Sequence, residues 1–213
     1  MELLSGFLDL LVHLDKHLLS VTQNYGGWVY LLLFLIVFCE TGLVVTPFLP
    51  GDSLLFVAGA LAGAGAMNVH LLVLLLILAA VLGDSLNYAI GRWLGPRVFR
   101  YPDSWFFKQA YVERTHAYFE KYGGRTIVIA RFVPIVRTYA PFVAGIGRMD
   151  YRRFILFNVS GAVLWVGVIG YAGYLFGNVP LVKNNLTLVI LGIIVLSISP
   201  AIIEVLRHKL KRA

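Results

Sequence analysis

Four charged side chains stand in the apolar parts of this chain, and helix breakers accompany them. Glu40 and Asp52 bound the stretch ETGLVVTPFLPGD, with Pro47, Pro50 and Gly51 between them. Arg131 and Arg137 bound RFVPIVR, with Pro134 between them and Pro141 following in TYAPFVAG. A carboxylate at membrane depth costs roughly 3 kcal/mol or more when ionised, which makes it a candidate proton carrier. A guanidinium offers a planar fork of donors that fits phosphate oxygens. Arg131 and Arg137 would lie on different faces of an unbroken helix, but Pro134 interrupts it and lets them converge. Pro47 and Pro50 break the first segment in the same way, and Gly51 permits a tight turn. Each pair keeps a structural alternative. Asp52 can cap a helix beginning near Ser53 while Glu40 pairs with an arginine, and the arginines can form a lattice with the acids that only holds the chain together.

The solvent in which the chain folds sets the elements that must position these residues. Of 213 residues, 59% are hydrophobic and 14% charged, where soluble domains are about 45–50% apolar. Spanning helices need roughly 18 or more apolar residues, and the runs 27–46, 71–90, 154–176 and 186–203 supply them. The expected fold is an all-α polytopic membrane protein of about four transmembrane helices. Residues 1–25 contain Glu2, Asp9 and Asp15 and lack a basic start, so they do not read as a cleavable signal. Leu3, Leu4, Phe7, Leu8, Leu11 and Leu18 recur at helical spacing opposite Asp9, His13 and Lys16, as in an amphipathic helix lying on the membrane surface.

The net charge of +7, from 18 Lys and Arg against 11 Asp and Glu, does not indicate nucleic acid, because the basic residues lie between or after the spans. The loop 92–125, the loop 148–153 and the tail 207–213 hold most of them. The positive-inside rule places all three in the cytoplasm, with the termini, and leaves 67–70 and 178–185 outside. Two apolar stretches then begin and end on the same face: 45–66 from the outside and 126–147 from the inside. They read as opposed re-entrant segments, tolerated where protein or a water-filled cavity satisfies their backbone. TPFLPGDSLLFVAGALAG and RTYAPFVAGIGRMD each carry proline before FVAG, at 56–59 and 142–145, and each precedes a span. Opposed copies of a broken segment form an inverted repeat, a pointer to a transporter's central site. The organisation expected is an interfacial helix over 1–25, a core over 26–177, and a last span with a basic tail over 178–213.

Taken together, Glu40, Pro47, the PGD of 50–52, GDSLNYAIGR over 83–92 and RFVPIVRTYAPFVAG over 131–145 resemble the DedA family of bacterial membrane proteins. The resemblance covers the whole chain. It implies an inner-membrane location, paired re-entrant segments and kinship with eukaryotic VTT-domain lipid scramblases. It also implies physiology that depends on the proton motive force and, for some members, return of undecaprenyl phosphate across the membrane. The family's essential acids match Glu40 and Asp52, and its essential arginines match Arg131 and Arg137.

Other signals are weaker. Asp84, Asn87 and Tyr88 lie near the inner end of a span as supporting polar residues, where Asp84 and Arg92 are expected to make a polar contact with the second re-entrant segment. Asn158 and Ser160 are expected to bond between helices. His116 and Tyr118 read as solvated or interfacial. Cys39 is a small core residue, and five dispersed histidines with one cysteine argue against a metal site. No cofactor or enzymatic motif is present. The expected function is proton-coupled translocation of a phosphate-headed lipid, either polyprenyl phosphate or phospholipid. The alternative is a proton-coupled cation or drug antiporter. Membrane lipids and protons are the expected partners, and a homo-oligomer is compatible with these features. On a Cys39→Ser background, single cysteines in the 95–125 loop are expected to react with membrane-impermeant maleimide only after the inner face is exposed. Labelling of that loop from outside intact cells overturns the topology.

Overall fold

The computed structural model describes residues 26–43, 51–95, 115–116, 119–183, 185, 188–189 and 192–193. Among them the chain is all helical. The elements are α1 (Trp28–Gly42), α2 (Gly51–Gly63), α3 (Val69–Leu94), α4 (Thr126–Ala130), α5 (Pro134–Ile146), α6 (Tyr151–Phe176) and α7 (Pro180–Lys183), with a 3-10 turn at Gly123–Arg125 before α4. The helix expected over 1–25, Pro47, Pro50 and most of the span 186–203 lie outside the described residues.

Only α3 and α6 are both long and apolar enough to cross a membrane, among the described residues. At 26 residues each, they extend about 39 Å. Each begins before its apolar run because a short polar side chain caps it. The Asn68 carboxamide accepts from the His70 and Leu71 amides, and the Asp150 carboxylate accepts from the Arg153 amide. The turns that lead into these caps match. Gly65 and Arg148 both adopt left-handed backbone, with φ of 85° and 51°. The following amides, of Ala66 and Met149, donate back to the carbonyls of Leu61 and Ala144, each at 3.0 Å.

α1 buries one stripe, Val29, Leu33, Val37, Glu40 and Thr41, and turns Leu31, Leu32 and Leu35 outward. That spacing places Glu40 at the end of an otherwise apolar face against α3. The break between α4 and α5 has a local cause. Val133 is extended, as the residue before a proline prefers, and Pro134 opens α5 where its missing N–H is not needed. Pro141, expected to break the segment, instead lies inside α5, which continues to Ile146. It removes only the donor that the Arg137 carbonyl would receive.

The helices cross where glycine lets backbones touch. A Cβ on Gly173 would strike the Phe56 carbonyl, and one on Gly59 the Gly170 carbonyl, so α2 lies on α6. A Cβ on Gly91 would strike the Phe142 carbonyl, and one on Gly145 the Tyr88 carbonyl, so α5 lies on α3. Both FVAG copies therefore meet a long helix in the same way. Gly91→Ala and Gly173→Ala are each expected to destabilise the purified protein by about 1–3 kcal/mol, through overpacking against backbone that has no room to retreat. Gly167→Ala, whose Cβ would meet nothing within 4 Å, is the control, and thermal unfolding in detergent is the measurement. Equal midpoints for all three variants would refute the crossing.

Candidate functional site

The interior of this helical assembly holds an ionic cluster. Glu40 is 3% exposed, Asp84 4% and Arg131 3%. Arg137, on α5, binds two acids from two other helices: its Nη2 pairs with Glu40 Oε1 of α1, and its Nη1 donates to Asp52 Oδ1 of α2 at 3.1 Å. Arg131, in the cap of α4, donates through Nη2 to Asp84 Oδ2 of α3 and to Asn158 Oδ1 of α6, each at 2.5 Å. The expected convergence of the two arginines is observed. Both guanidiniums lie over the ring of Trp165, at 5.9 Å for Arg131 and 5.2 Å for Arg137, where the negative face of the indole stands in for lost hydration.

Trp165 does more than cover the cations. Its indole N–H donates to Asp52 Oδ1 at 2.9 Å, so one carboxylate oxygen receives both Trp165 and Arg137. The sequence reading missed Trp165. The signal was a tryptophan in the middle of an apolar span, since a buried indole N–H needs an acceptor there. Gly51 has a contact role in addition to opening α2, because a Cβ there would collide with the Glu40 carboxylate.

Asp84 is a direct partner of Arg131, beyond the supporting contact expected of it. Asn158 bonds between helices as expected, since its amide also donates to the Val81 carbonyl of α3 at 3.1 Å. Ser160 does not: its hydroxyl returns to the Leu156 carbonyl of its own helix at 2.6 Å. Asn87 ties α1 and α5 to α3 by donating to the carbonyls of Thr41 and Thr138 at 3.2 and 2.9 Å. Tyr88 and Arg92 stand apart from the cluster. The Tyr88 hydroxyl donates to the Met149 carbonyl, and Arg92 Nη1 donates to the Tyr88 hydroxyl at 3.3 Å. His116 faces Glu120 at 3.6 Å in an exposed pair.

A cavity of about 380 Å³ borders the cluster, lined by Asp52, Arg131, Trp165 and apolar side chains that include Phe56, Phe132 and Val168. Asp52 is the more open of Arg137's two acids, its side chain 21% exposed against 2% for Glu40. Pro141 is not among the described lining residues, although the sequence reading placed it at a cavity wall. Arg131 Nε and Nη1 are buried without a hydrogen-bond partner. No group of three or more metal-ligating side chains occurs among the described residues.

An all-helical membrane protein with charged groups closed into its centre is the class this fold and site define. Residues 49–175 match the VTT domain family, and the chain belongs to the DedA family of membrane proteins. It is 57% identical to Protein DedA of Escherichia coli K12 over 211 residues, which is 98% of this chain and 96% of that protein. It is 46% identical over 191 residues to an uncharacterized membrane protein of Mycobacterium tuberculosis H37Rv, covering 89% of this chain and 84% of the other. It is also 39% identical over 182 residues to inner membrane protein YqjA of Escherichia coli K12, covering 84% and 81%. No solved structure matches the chain.

The Arg131–Asp84 pair tests the cluster's energetics. Removing one partner strands a buried charge, at a cost of about 3–5 kcal/mol. Asp84→Leu is expected to destabilise the protein by that amount, and adding Arg131→Met is expected to restore most of it. Unfolding of the single and double variants measures both, and additive losses would mean that the two residues act independently.

Proposed function

We propose that this protein is a proton-coupled transporter of a phosphate-headed lipid, either a polyprenyl phosphate such as undecaprenyl phosphate or a phospholipid, in the bacterial inner membrane. The observation that carries the reading is the cavity. It places Arg131 and Asp52 beside apolar side chains such as Phe132 and Val168 that are about half exposed. An amphiphile has the same division, with anionic oxygens at one end and hydrocarbon at the other. The protein acts on no covalent bond in this reading and uses no cofactor.

Charge counting supports coupling. Three carboxylates, Glu40, Asp52 and Asp84, face two guanidiniums, so one added proton makes the cluster neutral. In the proposed cycle a proton enters at Asp52 from the cavity and weakens its hold on Arg137. The released Nη1 donor of Arg137, whose Nη2 stays on Glu40, then takes the lipid phosphate, and when the lipid departs Asp52 gives up its proton and reclaims Nη1. Trp165 holds Asp52 and both cations in place during the exchange.

The matching turns at Gly65 and Arg148 and the matching crossings of α2 on α6 and α5 on α3 support an inverted repeat. In this reading the two central segments are re-entrant, about four helices span the membrane and both termini are cytoplasmic. A second reading, proton-coupled cation or drug antiport, draws on the pairing of both arginines with acids, which leaves them as scaffold.

Proteoliposomes distinguish the two. Labelled undecaprenyl phosphate or glycerophospholipid is expected to cross faster with an imposed pH gradient. Glu40→Gln and Asp52→Asn keep shape but cannot titrate, and are expected to fall to the rate of protein-free vesicles while remaining folded. Gradient-driven cation flux without lipid movement would establish the antiporter instead.

A further inference from the structure

We propose that the cavity at the far end of α3 binds the phosphate of an anionic phospholipid that stays at the membrane interface, separate from the central site. This cavity, of about 530 Å³, is lined by Ser85, Tyr88, Ala89, Arg92, Trp93 and Tyr151, none of which borders the central one. Its walls come from α3 and from the start of α6.

The wall is stiff and its hydroxyl protons are used within the protein. Tyr88 stacks on Phe154 with ring centroids 4.5 Å apart and lies 5.6 Å from Tyr151. Its hydroxyl donates to the Met149 carbonyl. The Tyr151 hydroxyl donates to Ser85 Oγ at 3.3 Å, and Ser85 donates to the Val81 carbonyl at 2.7 Å. Donors left for a ligand come from Arg92. Its Nη1 meets the Tyr88 hydroxyl at 3.3 Å, and its other donors have no acceptor among the described residues. No carboxylate lines the cavity among the described residues. The acid next in sequence to Tyr151 is Asp150, which caps α6 by accepting from the Arg153 amide at 3.1 Å. The site therefore offers a guanidinium fork with no competing acid among the described residues, which suits an anionic oxygen pair.

Its surroundings select a lipid over a free anion. Trp93 is 83% exposed and Tyr151 45%, as aromatic side chains are at the level of lipid headgroups. Leu74, Leu78, Leu82 and Leu86 are exposed at four-residue spacing on α3 and lead along one face to Trp93, a track for an acyl chain. Arg148, Arg152 and Arg153 are exposed on the adjoining turn and add attraction for anionic headgroups.

Native mass spectrometry of the full chain in phosphatidylcholine nanodiscs tests the site without any translocation step, so its outcome is independent of the transport reading. The probes are phosphatidylglycerol, diacylglycerol of the same chains, and inorganic phosphate. The wild type is expected to retain phosphatidylglycerol over both others. Arg92→Gln is expected to weaken that retention about tenfold or more, Arg92→Lys less, and Arg152→Gln least, by the loss of one diffuse surface charge. Equal retention by wild type and folded Arg92→Gln overturns the proposal, as does diacylglycerol binding equally well. Inorganic phosphate binding as tightly as the lipid also overturns it. Should Arg92→Gln fail to fold, Trp93→Ala decides: weakened lipid retention supports the site and unchanged retention removes it.

Discussion

The structure depends on the neutralisation of charge where water is scarce. Three carboxylates and two guanidiniums share one interior space, and none of them is tolerable there alone. Every long described helix supplies part of the solution: α1 gives Glu40, α2 Asp52, α3 Asp84, α5 Arg137 and α6 Asn158 and Trp165, with Arg131 arriving from the end of α4. Such a cluster is weak evidence of net stability, since apolar groups of the same volume often do as well. What it constrains is register. Sliding α5 by one residue along α3 would part Arg137 from both of its acids.

Close backbone approach makes that register reachable. In a bilayer there is little hydrophobic force between helices, and small residues allow the contact that replaces it. The glycines at 59, 170 and 173 seat α2 on α6, and those at 91 and 145 seat α5 on α3. The short helices α2 and α5 thus each lie on a long helix distant in sequence. That interlock carries Asp52 toward Trp165 and Arg137 toward Glu40, so backbone packing and charge pairing specify the same arrangement.

The cluster is uneven. Glu40 is closed in and Asp52 borders the cavity, yet both share Arg137. A change of charge at the accessible acid is felt at the enclosed one through a single guanidinium. Trp165 couples the same acid to both cations, so the site has one aromatic pivot and no route by which Asp52 can shift alone.

The sequence by itself determined the solvent, the helical class and most of the charged residues that the fold gathers. Composition excluded an aqueous fold, apolar length located α3 and α6, and charges beside prolines singled out Glu40, Asp52, Arg131 and Arg137. The break before α5 was legible because Pro134 acts on Val133 directly. The pairing was not. Arg137 reaches acids 97 and 85 residues away, and Arg131 reaches one 47 away. Periodicity reports which face of a helix is apolar, but not which helix that face meets. Asp84 was therefore visible as a polar residue near the second segment, without its pairing to Arg131. Trp165 was missed, because its N–H acquires a role only when α2 is laid against α6. Those choices belong to the glycine crossings, where the contact is between backbones far apart in sequence and no local pattern encodes the partner.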